Sequence, residues 1–183
     1  MYARRQGGKE LTFDFAEGLV DNNLLVVDRE TNSVWSQLAG RSIAGPMEDT
    51  PLESIPTMQA TWRFWRGRHP DTRVMVLERE GRRYVYQDFE PGTRRSSEGA
   101  HDISTVGLGL TLDDDARFFP LRELAAATTP LSLEVGGQAV VIHFDAEGLT
   151  AWATDASGSL LMTVLAYEQG WLSFFPNSLV WKR

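Results

Sequence analysis

The three histidines and the acidic residues near them are the side chains of this sequence best suited to chemistry at neutral pH. Histidine titrates close to pH 7, so it is the usual general acid or base and a common metal ligand. His143 lies two residues before Asp145 in an apolar run that predicts a buried strand, where a hydrogen-bonded core role is favoured over ligation. His69 precedes Pro70, and we expect it to stabilise the carbonyl end of a helix.

The spacings of most catalytic and metal-binding motifs are missing from the sequence. It contains no HExxH pattern, no phosphate-binding loop and no nucleophile elbow. The lack of cysteine excludes disulfides, thiol nucleophiles and thiolate metal sites. The acidic triplet 113–115 lacks the glycine and the distal glutamate of a calcium loop, so it predicts a solvated turn. We therefore expect no cofactor and no metal, with His143 and Asp145 as the alternative metal site.

A second set of residues has the composition of a ligand-binding cleft, in which aromatic side chains supply contact area and polar side chains supply orientation. The predicted cleft is lined by Asp28, Arg29, Trp35, Gln37, Trp62, Trp65 and His69. These residues come from a strand exit, the strand that returns from it, and a helix further along the chain. The alternative is that the tryptophans only wedge this helix onto the sheet.

Length and charge narrow the class of protein. A chain of 183 residues can bury a core as one domain or as two small lobes. The formal net charge of -7 and the pI of about 5.0 predict a surface that repels polyanions. We therefore expect no nucleic-acid partner.

No membrane span is predicted, because no run approaches the ~18 apolar residues that a spanning helix needs. Polar residues, and not an apolar signal core, follow the first five residues. The chain as given predicts a cytoplasmic protein, and an exported one if an upstream signal segment has been lost.

The first block of the chain predicts antiparallel strands. The run ELTFDF alternates apolar and polar residues, which places Leu11, Phe13 and Phe15 on the buried side of a strand. The run LLVVD, residues 24–28, is apolar on both faces and predicts a central strand. The polar residues of the following DRETNS favour a turn, after which VWSQ returns as the partner strand.

A helix is predicted between an irregular Pro-rich segment and a hairpin. Met58, Trp62 and Trp65 recur at i, i+4 and i+7, the spacing of one helix face. Thr57 is the predicted N-cap and Pro70 closes the helix. The runs TRVMVLE and RRYVYQ then predict two paired strands.

The second block repeats this alternation of strands and short helices. The strands VGLGLTL and ARFFPL flank the acidic turn, and a short helix is predicted over residues 122–128. Two buried strands follow, in QAVVIHF and LTAWATD. The run LAYEQGWLSFF predicts a last short helix ended by proline, and SLVW predicts a final strand.

A repeated sequence pattern relates the two blocks. Trp65 precedes Pro70 by five residues, and Trp171 precedes Pro176 by five. The two tryptophans are 106 residues apart, and so are the two prolines. The sequence thus predicts an α+β, predominantly β fold. It consists of two related mixed or antiparallel sheet lobes, each with a short Trp-containing helix ended by proline.

The predicted boundaries follow from this pattern. Residues 1–87 form the C-terminal part of a first repeat unit. Residues 88–103 are polar and Gly-rich and are predicted to be a loop or linker, in which His101 is solvated. Residues 104–183 form a second, shortened unit that packs on the first, either as a separate lobe or within a single domain.

The motifs resemble a known family. Residues 18–46, GLVDNNLLVVDRETNSVWSQLAGRSIAGP, and residues 61–75, TWRFWRGRHPDTRVM, resemble the domain of unknown function 3179 family. The runs VGLGLTLDDDARFFPL and GGQAVVIHFDAEGLTAWATDA resemble the opening of one of its units, and YEQGWLSFFPNSLVW resembles the closing element. The resemblance covers most of the chain and implies no particular activity.

The departures from the family pattern are specific. The two family cysteines would fall on Asp145 and Gly148, so any thiol or metal chemistry of that pair is absent here. The Asp of the family's FDR motif falls on Ala3, and the Tyr of its LYNS motif falls on Asp21. The opening of the first unit would lie before Met1. The resemblance therefore implies a truncated or late-start chain, or strands replaced by other elements or by another subunit.

We expect a non-catalytic binding or assembly module. It would engage a small polar ligand, a peptide or a partner subunit through the aromatic and polar cleft or through an open sheet edge. The alternative is a metal-assisted or acid–base hydrolase that uses His69 or His143 with Asp28, Asp14 or Asp145. Substitution of both cysteine positions favours the binding module.

An open edge also predicts assembly. If the strand over residues 10–15 lacks a neighbour, its unpaired backbone groups recruit another chain. We therefore expect a homo-oligomer or a subunit of a larger assembly.

Overall fold

Short strands dominate the structure, a computed structural model that describes residues 1–20, 23–73, 78–79, 82–83 and 106–183. The first block comprises β1 (Arg5–Gln6), β2 (Lys9–Glu10), β3 (Phe13–Val20), β4 (Asn23–Asp28), β5 (Val34–Ser36), β6 (Arg41–Ala44), α1 (Trp62–Arg68), β7 (Glu78–Arg79) and β8 (Arg82–Arg83). The second block comprises β9 (Val106–Leu112), β10 (Asp115–Pro120), α2 (Leu121–Ala126), β11 (Leu131–Val135), β12 (Gln138–Asp145), β13 (Thr150–Asp155), β14 (Thr163–Tyr167), α3 (Glu168–Phe174) and β15 (Leu179–Val180).

The sheet of the first block is antiparallel throughout, with strand order β3-β4-β5-β6. The predicted central strand over residues 24–28 is confirmed, since β4 lies between β3 and β5. The predicted return strand is confirmed as β5. Leu11, Trp35 and Leu52 are the buried apolar residues that pack beside this sheet.

The predicted buried face of the first strand is right at Leu11 and wrong at Phe15. Leu11 is fully buried, but it precedes β3, and Phe15 is 75% exposed. Within the described residues β3 is an edge strand. Alternation of apolar and polar residues decides which side chains share a face, but not whether another layer covers that face.

The second block contains two sheets that share one core. The hairpin of β9 and β10 has β14 on one side and β15, parallel to β10, on the other. The strands β11, β12 and β13 form a separate antiparallel sheet. The shared core consists of Leu108, Leu110, Phe119, Leu124, Val135, Val140, Ile142, Ala151 and Ala153.

The three described helices fall close to the predicted positions, with different ends. Thr61, and not Thr57, caps α1, and its hydroxyl accepts a hydrogen bond from the Phe64 backbone N–H at 3.4 Å. The residues before Thr61 have no regular secondary structure, and they contact the second block: the Thr150 hydroxyl donates to the Gln59 carbonyl at 2.5 Å. A tertiary contact therefore displaces the helix start.

The fold is mostly β with few helices, which confirms the predicted class at that level. The predicted linker over residues 88–103, with His101, lies outside the described residues. Of the predicted hairpin that precedes it, only the short pair β7 and β8 is described, and it is antiparallel. Among the described residues, no helix is both long and apolar enough to cross a membrane.

Candidate functional site

The seven residues of the predicted cleft do not form one site. The first sheet holds Asp28, Arg29 and Trp35, and Gln37 follows its third strand. The other three residues, Trp62, Trp65 and His69, belong to α1 or cap its C-terminus. This second group lines a cavity of about 710 Å³.

Asp28 is fully buried and organises the turn between β4 and β5. Its carboxylate accepts hydrogen bonds from the Thr31 N–H at 2.5 Å, the Thr31 hydroxyl at 2.7 Å, the Ser33 N–H at 3.2 Å and the Trp35 Nε1–H at 2.8 Å. Burial would raise the pKa of Asp28, but these hydrogen bonds outweigh it and hold the pKa below its ordinary value. Asp28 therefore has a structural role in this fold.

Trp35 does not line a cleft either. Its side chain is 0% exposed, and its ring meets Phe13 edge-on with centroids 5.9 Å apart. Asp28 and Trp35, two residues of the predicted cleft, are both enclosed by the turn and the sheet that they stabilise.

Arg29 and Gln37 are exposed but separate. Arg29 forms a two-pronged ion pair with Asp14 on β3, at 2.5 and 2.7 Å. This pair lowers the pKa of Asp14, chiefly through its hydrogen bonds. The Gln37 carbonyl accepts a 2.7 Å hydrogen bond from the Tyr2 hydroxyl, at the rim of a second, smaller cavity of about 230 Å³.

Trp62, Trp65 and His69 line a cavity of about 710 Å³, which we call the aromatic groove. Its walls are formed by Met1, Pro56, Thr57, Met58, Ala60, Trp62, Trp65, His69 and Leu160. This volume lies within the range of small-molecule and peptide-anchor sites, about 300–1,000 Å³. Trp62 is 49% exposed, so a large aromatic surface remains open at the mouth.

Local structure fixes the two rings at the end of α1. The His69 backbone N–H donates to the Trp65 carbonyl at 2.9 Å, which closes the helix as predicted for a C-terminal cap. The His69 ring packs against Trp65 at an interplanar angle of 33°, with centroids 4.1 Å apart. The Trp65 Nε1–H donates to the Thr72 hydroxyl at 2.9 Å, so the chain beyond Pro70 also holds the indole in place.

The opposite face of α1 is anchored to the second block. Phe64 packs against Trp152 on β13 with centroids 5.9 Å apart, and the guanidinium of Arg68 lies 4.0 Å over the Phe64 ring. Gly148 makes this approach possible, because a Cβ there would come within 2.7 Å of Phe64. The Thr61 N–H also donates to the Gly148 carbonyl at 3.2 Å. The helix is therefore held from behind while its tryptophans face outward.

His143 and Asp145 occupy the same strand but take part in separate interactions. The His143 ring lies flat on Trp152 with centroids 5.0 Å apart, and its Nε2 lies 3.0 Å from the Thr154 hydroxyl. Burial lowers the pKa of His143. Asp145 accepts the Gly148 N–H at 2.6 Å in the turn between β12 and β13. Each residue thus has a structural partner.

The described residues do not assemble a metal-binding cluster. No group of three or more His, Asp or Glu side chains within residues 1–20, 23–73, 78–79, 82–83 and 106–183 could hold a metal ion together. In the same part of the chain, neither His69 nor His143 forms an ion pair with a carboxylate.

The comparison with protein families gives a clear result. The family described as "Protein of unknown function (DUF3179)" matches residues 1–170. The chain belongs to this family. The match spans both blocks and confirms the resemblance that the sequence motifs indicate. No curated protein and no solved structure matches the chain.

Sequence reasoning missed the part of the aromatic groove that α1 does not supply. Pro56 and Ala60 lie in the irregular segment before the helix, and Leu160 follows β13. An isolated β-bridge pairs Leu160 with Thr154 of β13, and Leu160 is the residue that the second block contributes to the aromatic groove. No periodic pattern links residue 56 to residue 160, so this wall depends on long-range contacts.

Proposed function

We propose that this protein is a non-catalytic binding module that engages a partner chain or peptide through the aromatic groove. The observation that carries the proposal is a cavity of about 710 Å³ beside α1, which is lined by exposed Trp62, half-buried Trp65 and exposed His69. Tryptophan is enriched at the centre of protein interfaces because it buries a large area with little loss of conformational freedom.

Two further features support a binding role. None of the seven residues of α1 is buried, although the helix is anchored through Phe64 and Arg68. Exposed aromatic surface costs solvation free energy unless it is covered, and a contiguous exposed patch is typical of an interaction site. The His69 ring and the Thr57 hydroxyl add polar groups at the rim, where they can orient a bound chain.

The test uses 8-anilinonaphthalene-1-sulfonate, a probe with an aromatic body and one negative charge. Its fluorescence on binding is titrated for the wild-type protein, for Trp62→Ala and for Phe15→Ala. Phe15 is the matched control because it is an exposed aromatic residue outside the groove. We expect Trp62→Ala to weaken binding about tenfold, which corresponds to roughly 1.4 kcal/mol, and Phe15→Ala to leave it unchanged. Equal affinities for all three proteins would contradict a binding groove at this place.

We also propose that the two blocks are related repeat units. The helices α1 and α3 each span seven residues, lie 106 residues apart and are each followed by a proline two residues beyond the last helical residue. This correspondence supports a duplicated element whose two copies now pack differently.

Self-association through β3 is a second candidate, favoured by the side chains that this strand exposes. Phe15, Leu19 and Val20 are 75%, 61% and 44% exposed on a strand that, among the described residues, pairs only with β4. Such an edge accepts another strand. Light scattering is expected to show a dimer that Phe15→Lys converts to a monomer. A monomer at every concentration of the wild-type protein would rule this candidate out.

A further inference from the structure

The ends of α1 and α3 have the same local structure. Trp65 donates its indole N–H to Thr72 at 2.9 Å, and Trp171 donates to Ser178 at 2.7 Å, seven residues on in each case. Each tryptophan ring also packs against the ring four positions later, with centroids 4.1 and 4.2 Å apart and interplanar angles of 33° and 30°. The cap residues share similar backbone angles, φ -131 and ψ 70 in one and φ -127 and ψ 68 in the other.

The surroundings of the two tryptophans differ. Trp171 is 1% exposed and is part of the packed second block. Trp65 is half-buried, lies on a helix that buries no residue, and faces the aromatic groove. Equivalent indoles, held by equivalent bonds, are therefore covered in one block and open in the other.

The element that covers Trp171 is the hairpin of β9 and β10. Gly109 on β9 lies directly against the indole, since a Cβ there would come within 2.3 Å of Trp171 Cζ3. Ser178, which accepts the indole N–H, donates its own proton to the Ala116 carbonyl of β10 at 3.1 Å. A glycine and a strand carbonyl thus recognise this tryptophan and its hydroxyl partner.

The charges on α1 indicate which charge a bound partner should carry. The helix carries Arg63, Arg66 and Arg68 with no acidic residue in its first turn, and all three are exposed. Among the described residues, none of them forms an ion pair with an acidic side chain. The turn of the hairpin that covers Trp171 is acidic, with Asp113 and Asp114, whereas Asp115 begins β10 and pairs with Arg117. An acidic hairpin is therefore the complementary occupant for this helix.

We propose that the aromatic groove docks a β-hairpin of a partner chain that places a glycine against Trp65 and acidic residues near the arginines of α1. This inference rests on the proposed binding function and specifies its partner class. In the docked state the Thr72 hydroxyl donates to a carbonyl of the incoming strand, as Ser178 does in the second block. The contact is a form of strand recognition in which backbone bonds give affinity and one side-chain position gives specificity.

The experiment supplies such a hairpin to the full chain. A copy of residues 106–120 is fused ahead of Met1 through a short Gly/Ser linker, because Met1 lines the groove and the copy is then delivered beside it. A short flexible linker gives an effective concentration on the order of millimolar, so a weak contact becomes visible. The protein is labelled with 5-fluorotryptophan, and Trp62→Phe and Trp65→Phe variants assign the two groove resonances. The solvent isotope shift of each resonance reports its exposure to water.

The matched control carries Gly109→Val in the fused copy alone, so the folded chain itself is unaltered. We expect the fused glycine hairpin to remove the isotope shift of Trp62 and Trp65, and the valine hairpin to leave both shifts as in the unfused protein. Protection by both hairpins equally would overturn the glycine requirement while leaving a binding groove intact. Protection by neither would overturn this partner class, and the anilinonaphthalene titration would still decide whether the groove binds at all.

Discussion

Trp35 donates its indole N–H to the buried carboxylate of Asp28 at 2.8 Å, and this bond joins the turn after β4 to the strand that returns from it. The same carboxylate also serves Thr31 and Ser33. One buried side chain therefore accepts hydrogen bonds from two backbone N–H groups, a hydroxyl and an indole, which explains how Asp28, Ser33 and Trp35 can be enclosed without unpaired donors.

Asp28→Ala is expected to be strongly destabilising. It leaves two backbone N–H groups and the Trp35 indole N–H without their acceptor in a buried turn, and we expect a loss of about 3–5 kcal/mol. The free energy of unfolding is measured by urea titration followed by circular dichroism. Asp14→Ala is the control, because the exposed ion pair of Asp14 with Arg29 contributes little to stability. A loss no greater than that of the control would contradict the buried role of Asp28.

Acid is expected to destabilise the protein through the same carboxylate. The pKa of Asp28 in the folded state lies below its ordinary value of 3.8. The folded protein therefore binds this proton less readily than the unfolded chain, so its contribution is present above that value and is lost as the pH falls through the folded pKa. Urea titrations between pH 7 and pH 2 should show wild type and Asp28→Asn converging at low pH. A difference that stays constant across this range would refute the assignment.

His143 is expected to titrate below its ordinary pKa of 6.5, because its strand is partly buried. The unfolded chain then takes up the proton first, so stability falls as the pH drops below 6.5 towards the folded pKa and changes no further below it. The His143 Cε1 proton is followed by NMR from pH 8 to pH 4, with the exposed His69 measured in the same spectra. A His143 midpoint at or above 6.5 would be inconsistent with the packing of its ring on Trp152.

Two glycine substitutions should have opposite effects. Gly109→Ala places a Cβ within 2.3 Å of the Trp171 ring, and we expect a loss of about 3 kcal/mol from overpacking. Gly67→Ala, in α1, meets no heavy atom within 4 Å, and we expect a gain of about 0.5–1 kcal/mol because glycine is a poor helix former. Thermal unfolding of the two variants measures both. Destabilisation by Gly67→Ala would show that the helix is more closely surrounded than its exposure indicates.

The two tryptophan–hydroxyl bonds should differ in strength. Ser178→Ala leaves the indole N–H of buried Trp171 and the Ala116 carbonyl unpaired, with an expected cost of about 2–3 kcal/mol. Thr72→Val removes the equivalent bond of half-buried Trp65, where water can replace the hydroxyl, and should cost about 1 kcal/mol or less. Urea titrations of the two variants test this order. Equal costs would mean that Trp65 is as well covered as Trp171.

Local pattern accounts for much of this fold. The turn after β4, the return strand β5, the hairpin of β9 and β10 and the strands β12 and β13 follow from apolar runs and from residues that favour reversals, which act over a few neighbouring positions. The family motifs and the spacing of 106 residues between Trp65 and Trp171 can likewise be recognised in the sequence. The C-cap of α1 at His69 and the packing of the His69 ring against Trp65 depend only on residues four positions apart.

Burial and the composition of the groove depended on contacts between distant parts of the chain. Trp35 and Trp62 are the same residue type near similar polar neighbours, yet one is enclosed by its sheet and the other is 49% exposed. Thr61 caps the helix in place of Thr57, and the segment before the helix bonds instead to Thr150 and Gly148 of the second block. Periodicity specifies which side chains share a face, whereas the layer that covers the face comes from elsewhere in the chain.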